Sequence, residues 1–142
     1  MGAPVCLEYK IEGNDYMAAG TASNNIKNTL KILGIDSDIC RRAAVVLYEA
    51  EMNLVIHAGG GILKAIIEED HVDLYAIDEG PGIPDINKAM TEGFTTASDQ
   101  AREMGFGAGM GLPNMKRNSD GFTVDSVPGK GTTIHSSIAF RK

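Results

Sequence analysis

Gly105-Phe106-Gly107-Ala108-Gly109-Met110-Gly111-Leu112-Pro113 is the stretch on which the reading of this chain turns. Four glycines alternate with other residues, and a proline follows where a helix can begin. Glycine reaches positive φ and lets backbone approach another group closely, at the highest ordering entropy of any residue. Glycines in this pattern mean either a backbone that wraps something or a plain flexible loop. The residues that follow, Leu112–Ser119, read as a helix with Pro113 in its first turn, where the missing N–H does no harm. A glycine loop feeding a helix N-terminus offers free N–H groups and a positive dipole end, which suits phosphate. The pattern is not a Walker A loop, since GxxxxGK[ST] is absent, and GxGxGxG is not the Rossmann spacing.

At 142 residues the chain fits one domain, residues 1–142, with room for a sizeable core. Its 13 basic and 19 acidic residues give a net charge of −6, which argues against a nucleic-acid surface. A bound polyphosphate would therefore need local help from backbone N–H groups, a metal ion or nearby cations. Cys6 and Cys40 form no CxxC and fit a reduced, cytoplasmic compartment. Met1–Glu12 lacks the basic start and apolar run of a signal peptide. Ala43–Ile56, the most apolar stretch, is broken by Glu49, Glu51 and Asn53 and is too short to span a bilayer. These features predict a soluble intracellular domain with no membrane contact.

Val5, Leu7, Tyr9 and Ile11 alternate with Cys6, Glu8, Lys10 and Glu12, the period of a half-buried strand. Gly13-Asn14-Asp15 is turn chemistry, so a short second strand is expected from Tyr16. Ile26, Leu30 and Leu33 repeat at helical spacing, with Ser23 or Asn24 as the N-cap and Gly34 at C′. Ser37 is expected to cap a longer helix running to about Ala58, ended by Gly59-Gly60-Gly61. Val46, Ile39, Ala50, Ala43 and Leu54 form its apolar arc. Glu49 and Asn53 lie one turn apart beside that arc and should be at least partly buried. Either both find protein partners, since a buried polar group without one is expensive, or they face a pocket holding a metal or a reacting group. An i,i+4 pair of oxygen ligands can hold Mg²⁺ directly or through water. His57, on the same side near the helix end, reads as structural.

Ile62–Glu68 and Val72–Ile77 read as strands joined by a tight connection at Glu69-Asp70-His71. The second runs into Asp78-Glu79-Gly80-Pro81-Gly82-Ile83-Pro84, where glycines and prolines force a sharp turn. Asp78 is there either as an Asx-turn residue or as a binding residue at a strand end. Asp85–Met90 is a short helical candidate. Thr91–Met104 is polar and aperiodic, and a long loop in a compact domain suggests a lid. Phe122–Val127 and Thr132–Phe140 close the chain as strands around the turn Pro128-Gly129-Lys130-Gly131.

An ExxxN helix, a DxGxG turn after a strand, a GxGxG loop before a helix and a GT pair entering a last strand occur here in that order. They are Glu49…Asn53, Asp78…Gly80…Gly82, Gly105–Gly111 and Gly129…Gly131-Thr132-Thr133. With them the chain resembles the GHKL, or Bergerat-fold, ATP-binding domains of histidine kinases, type II topoisomerases and mismatch-repair ATPases. Asp78-Glu79-Gly80-Pro81-Gly82-Ile83-Pro84-Asp85-Ile86 and Gly109-Met110-Gly111-Leu112-Pro113-Asn114-Met115-Lys116-Arg117 bring it closer to the small anti-sigma-factor serine/threonine kinases. The likeness is greatest to the switch-kinase branch that acts on STAS-domain partners. The size agrees, since neither a histidine kinase's dimerisation region nor a topoisomerase's transducer domain is expected here.

The resemblance implies an α+β fold: a two-layer α/β sandwich with helices on one face of a mixed, mostly antiparallel sheet. It implies ATP and Mg²⁺ as cofactors. Asn53 would hold Mg²⁺, and Glu49 would orient or deprotonate the attacking serine hydroxyl or water. Asp78 would accept a hydrogen bond from the adenine amino group, with Gly80 in the same turn and Gly82 letting the base approach. Gly107, Gly109 and Gly111 would wrap the phosphates, with Gly105 an extra step in the run, and Gly93–Gly107 would form the lid. Thr133, or else Thr132, would back the adenine end. Lys116 and Arg117 read as a solvated basic pair, with help to phosphate charge the alternative. The implied function is phosphorylation of a serine or threonine on a small regulatory protein of STAS type, with a sigma factor or phosphatase as further partners and a homodimer as the assembly. The rival is a binding module, an anti-sigma factor whose nucleotide state sets which protein it holds. An ATP-binding domain without transfer activity is a third reading, against which Glu49 stands.

Overall fold

The computed structural model describes residues 3–80, 90 and 111–140. In chain order the elements are β1 (Val5–Glu12), α1 (Thr21–Ile32), α2 (Ser37–Ile56), β2 (Gly60–Ile67), β3 (His71–Asp78), α3 (Gly111–Arg117), β4 (Gly121–Val127) and β5 (Gly131–Ala139). The strands form a sheet in the order β1-β2-β3-β5-β4. All four pairings among the described residues are antiparallel, so the mixed character expected of the sheet is not seen among them.

The alternation that marks the strands also sorts their faces. Val72, Leu74, Ala76 and Asp78 on β3 point to the buried side, as do Thr132, Ile134, Ser136 and Ile138 on β5. The helices cover that side. Ile26 and Leu30 of α1 and Val46, Leu47 and Leu54 of α2 are fully or almost fully buried with Leu63, Ile134 and Ile138 of the sheet. Each such side chain contributes about 1.5–3 kcal/mol on burial. The opposite face carries His71, Asp73, Tyr75 and His135. There the Tyr75 and His135 rings stack at 4.5 Å, and His135 Nε2 lies 2.8 Å from Asp73 Oδ1.

The helix ends correct three local expectations. No strand starts at Tyr16: Asn14 takes φ +60°, Asp15 accepts the Ala18 N–H at 3.2 Å, and residues 16–20 stay in turns until α1 begins. Neither Ser23 nor Asn24 is the N-cap of α1. Gly20 is, without a side-chain cap, and Ser23 is buried in the first turn. Asp36 rather than Ser37 caps α2, accepting the Asp38 N–H at 3.1 Å, and Gly60 and Gly61 open β2. At the C-terminus of α1 the Gly34 N–H donates to Lys31 O and the Ile35 N–H to Leu30 O, the paired bonds of a Schellman end, as the glycine predicts.

Ser23 is in that turn because of Glu51. Its carboxylate is 2% exposed and accepts from the Gly20 N–H (2.9 Å), the Ser23 N–H (2.9 Å) and Ser23 Oγ (2.5 Å). The N–H groups that open α1 are thus satisfied by a side chain from α2. The expected helix over 85–90 and the polar stretch 91–104 lie outside the described residues, apart from Met90.

Candidate active site

Glu49 and Asn53 are both half-buried on α2, as their spacing predicts. Glu49 has a protein partner: Asn114 Nδ2 of α3 donates to Glu49 Oε2 at 3.0 Å, and Arg117 in turn donates to Asn114 Oδ1. Among the described residues the Asn53 side chain has no hydrogen-bond partner, while its carbonyl accepts the His57 and Ala58 N–H groups that end the helix. Burial pushes the His57 imidazole below its ordinary value, consistent with a neutral, structural ring.

The short helix α3 is held along α2 at both ends. Near its start Asn114 meets Glu49. Beyond its end Arg42, two turns before Glu49 on α2, donates to Asn118 O (3.2 Å) and to Asp120 Oδ1 (3.3 Å). Asp120 Oδ2 accepts the Ala139 N–H at 2.7 Å; this bond first, and Arg42 with it, holds the Asp120 carboxyl below its ordinary value. Ser119 Oγ lies 2.5 Å from Ser136 Oγ of β5 and donates to Met115 O. Gly111 opens α3 next to Glu49: among the described residues, a Cβ there would meet only Glu49 Oε1, at 3.7 Å.

Asp78 ends β3 and is 9% exposed. Its Oδ1 accepts the Gly80 N–H at 2.8 Å, an Asx turn, and its carboxylate has no other partner among the described residues. The turn is tucked against the end of α2, where a Cβ on Gly80 would come within 2.6 Å of Ala58 O. Across the sheet Thr132 stands opposite Asp78 on the same buried face, and its Oγ1 lies 2.8 Å from Ser126 Oγ. Gly131 lets β5 start there: it has φ +132°, and a Cβ would fall 2.2 Å from Asp78 O.

Glu49, Asn53, Asp78, Gly80, Gly111 and Thr132 therefore share the helix side of the sheet. Thr133 does not. It follows Thr132 on a strand and so projects from the opposite face, in line with His135. Of the two threonines, Thr132 is the one on the face of Asp78. Gly82, Gly105, Gly107 and Gly109 lie outside the described residues. Sequence reasoning assigned no role to Asn114 or Ser126, although Asn114 is a polar residue between the buried Pro113 and Met115.

The donor set suits a magnesium nucleotide. Among the described residues, an amide without a hydrogen-bond partner stands one turn from a carboxylate, a mostly buried aspartate keeps acceptor capacity, and the Cβ position of a glycine faces Glu49, a set of polar groups that fits such a ligand. Comparison with known proteins supports the nucleotide. The family model described as histidine kinase-, DNA gyrase B-, and HSP90-like ATPase matches residues 39–142. The serine/threonine-protein kinase RsbT of Bacillus subtilis (strain 168) is 35% identical over 114 residues, covering 78% of this chain and 80% of that protein. The anti-sigma F factor of Caldanaerobacter subterraneus subsp. tengcongensis is 40% identical over 91 residues, 61% of this chain and 60% of its own length. That of Geobacillus stearothermophilus is 38% identical over 101 residues, 67% and 66%.

Proposed function

This chain belongs to the histidine kinase-, DNA gyrase B- and HSP90-like ATPase family, and within it we propose an ATP-dependent serine/threonine protein kinase that works by partner switching. The observation that carries the reading is Glu49 and Asn53 side by side on α2, one held by α3 and the other without a partner among the described residues. A binding site alone has no need of a carboxylate there; a transfer reaction does, to take a proton from the attacking hydroxyl.

Mg-ATP supplies the phosphoryl group and a cation that offsets its charge. Asn53 would hold the cation through its side-chain oxygen. Glu49 orients the incoming serine or threonine hydroxyl and accepts its proton. Asp78 would accept from the adenine amino group while its Oδ1 keeps the Gly80 turn closed, and Thr132 would back the same end. Gly111, with Gly105, Gly107 and Gly109 before it in sequence, would offer backbone N–H groups to phosphate, and Gly82 would give the base room. Catalysis of this kind is mostly positioning and electrostatics.

We propose that residues 1–142 act as one domain, in the cytoplasm, in keeping with the unpaired thiols of Cys6 and Cys40. No helix among the described residues is long and apolar enough to cross a membrane. The partners in this reading are a small STAS-type regulatory protein as substrate, a sigma factor or phosphatase in the same switching set, and a second copy of the chain. The anti-sigma F relatives favour a second reading, in which nucleotide-dependent binding is the main output.

The test is transfer of γ-labelled phosphate from Mg-ATP into soluble extract of the source cell. One small labelled protein carrying acid-stable phosphoserine or phosphothreonine, and lost with Glu49→Ala, supports the kinase. Absence of label despite tight ATP binding supports the binding module. Asn53→Ala should weaken Mg-ATP binding, whereas Glu49→Ala should stop transfer and spare binding. Equal loss of affinity in the two variants would count against these roles.

A further inference from the structure

Glu49 is presented by its neighbours rather than left to choose a rotamer. We propose that Asn114 is the positioning residue for Glu49, holding Oε2 so that Oε1 is the oxygen offered to the reacting hydroxyl, and that Arg117 fixes which end of the Asn114 amide faces Glu49. The inference rests on the reading of Glu49 as the proton acceptor.

The argument begins with donors and acceptors. A guanidinium has only donors, so Arg117 draws the Asn114 oxygen toward itself and leaves the amide NH₂ facing Glu49. The reverse flip would set NH₂ against guanidinium and oxygen against carboxylate, two repulsions in place of two bonds. The observed bond from Nδ2 to Oε2 at 3.0 Å follows. The two carboxylate oxygens are then not equivalent. Oε2 is occupied, and Oε1 is the one that faces Gly111, where the glycine run enters α3.

Holding one oxygen restricts a side chain that otherwise turns about three torsions, and the restraint matters only if its anchor is rigid. Asn114 meets that condition. Its helix is pinned by Arg42 to Asn118 and Asp120, by Ser119 to Ser136, and by the fully buried Met115. Arg117 is exposed, so its effect on the amide should be smaller than the effect of Asn114 on Glu49.

The test follows transfer from Mg-ATP to the protein labelled in the extract experiment. Asn114→Ala should lower kcat about 10- to 100-fold, the scale of a misplaced reacting group, with KM for Mg-ATP within about twofold. Asn114→Asp should be at least as slow and should move the acidic limb of the kcat–pH profile upward, because a like charge then faces Glu49. Arg117→Ala should show a smaller loss than Asn114→Ala. In a Glu49→Gln background, Asn114→Ala should have no further effect.

A readout without nucleotide accompanies these. The Asn114 side-chain amide resonances of ¹⁵N-labelled protein should shift in both Glu49→Ala and Arg117→Ala. Unchanged kcat in Asn114→Ala, with Glu49→Gln inactive, would overturn the positioning role and leave the base reading intact. Raised KM at constant kcat would overturn it too, as would amide resonances indifferent to Glu49. If Glu49→Gln keeps full kcat, or no protein is labelled at all, the base reading falls and takes this proposal with it.

Discussion

Replacing Glu51 should unfold the chain far more readily than replacing any exposed carboxylate, by an amount its partners set. Its side chain satisfies the Gly20 N–H through Oε2 and both the N–H and hydroxyl of Ser23 through Oε1, at 2% exposure. Glu51→Ala leaves those donors facing a void. A buried donor left without its acceptor costs about 1–3 kcal/mol, so losing the acceptor of all three should cost about 3–5 kcal/mol. Against a total stability of about 5–15 kcal/mol, that is a large share. Glu51→Gln separates the contributions. With its oxygen at the Oε1 position it keeps both Ser23 bonds, but its NH₂ then opposes the Gly20 N–H, a loss of about 1–2 kcal/mol. In urea, with a slope of about 2 kcal/mol/M, the midpoint should fall by about 2 M for the alanine and by about 0.5–1 M for the glutamine. Circular dichroism and tyrosine fluorescence should give coincident curves. Equal losses in the two variants, or an alanine midpoint within about 0.5 M of the parent, would refute the hydrogen-bond account.

Other perturbations reach the remaining parts. His71 pairs with Asp70 (2.6 Å) and Asp73 (3.1 Å) through both ring nitrogens, which only the imidazolium satisfies as a double donor. Its pKa is raised, chiefly by Asp70, so its stabilisation is full below the unfolded value of 6.5 and is lost as pH rises through the higher folded value. The stability difference between parent and His71→Gln should therefore shrink from pH 6 to pH 8, about the range over which a histidine with a raised pKa titrates; a constant difference in urea midpoint would refute it. The comparison isolates His71 from His57, whose lowered pKa acts in the opposite sense. Asp78→Asn, which removes a charged acceptor, should weaken ATP binding by about 10- to 100-fold in calorimetry, with thermal unfolding little changed. Gly131→Ala should lower the unfolding temperature as well, since its Cβ meets Asp78 O at 2.2 Å and φ is +132°. Strain of that kind costs about 1–3 kcal/mol before any clash is relieved.

What was legible in the chain was what local periodicity and turn chemistry can encode. Alternation in Val5–Glu12 and His71–Asp78 marks strands because each residue's face is set by its immediate neighbours. Glu49 and Asn53 stood out because they interrupt an apolar arc, and Asp78 because a strand runs into glycines and prolines. The threonine pair was harder. One residue of register decides which face each takes, and only the pairing of Thr132 with Asp78 resolves it. Ser23 looked like a cap because capping is usually local, yet the acceptor for its N–H comes from Glu51, 28 positions on. Asn114 was hidden for the same reason, its partner lying 65 positions back.

Glu49 and Glu51 make the physical point together. Two residues apart on a helix, they are separated by about 200°, so one faces α3 and the other the start of α1. The sequence Glu49-Ala50-Glu51 does not say which of the two is structural. Chemistry does: Glu51 spends both oxygens on three donors, whereas among the described residues Glu49 spends one oxygen on Asn114 and keeps the other beside Gly111. A carboxylate that serves a reaction must retain an acceptor that folding has not used, and by that criterion Glu49 is the one to follow.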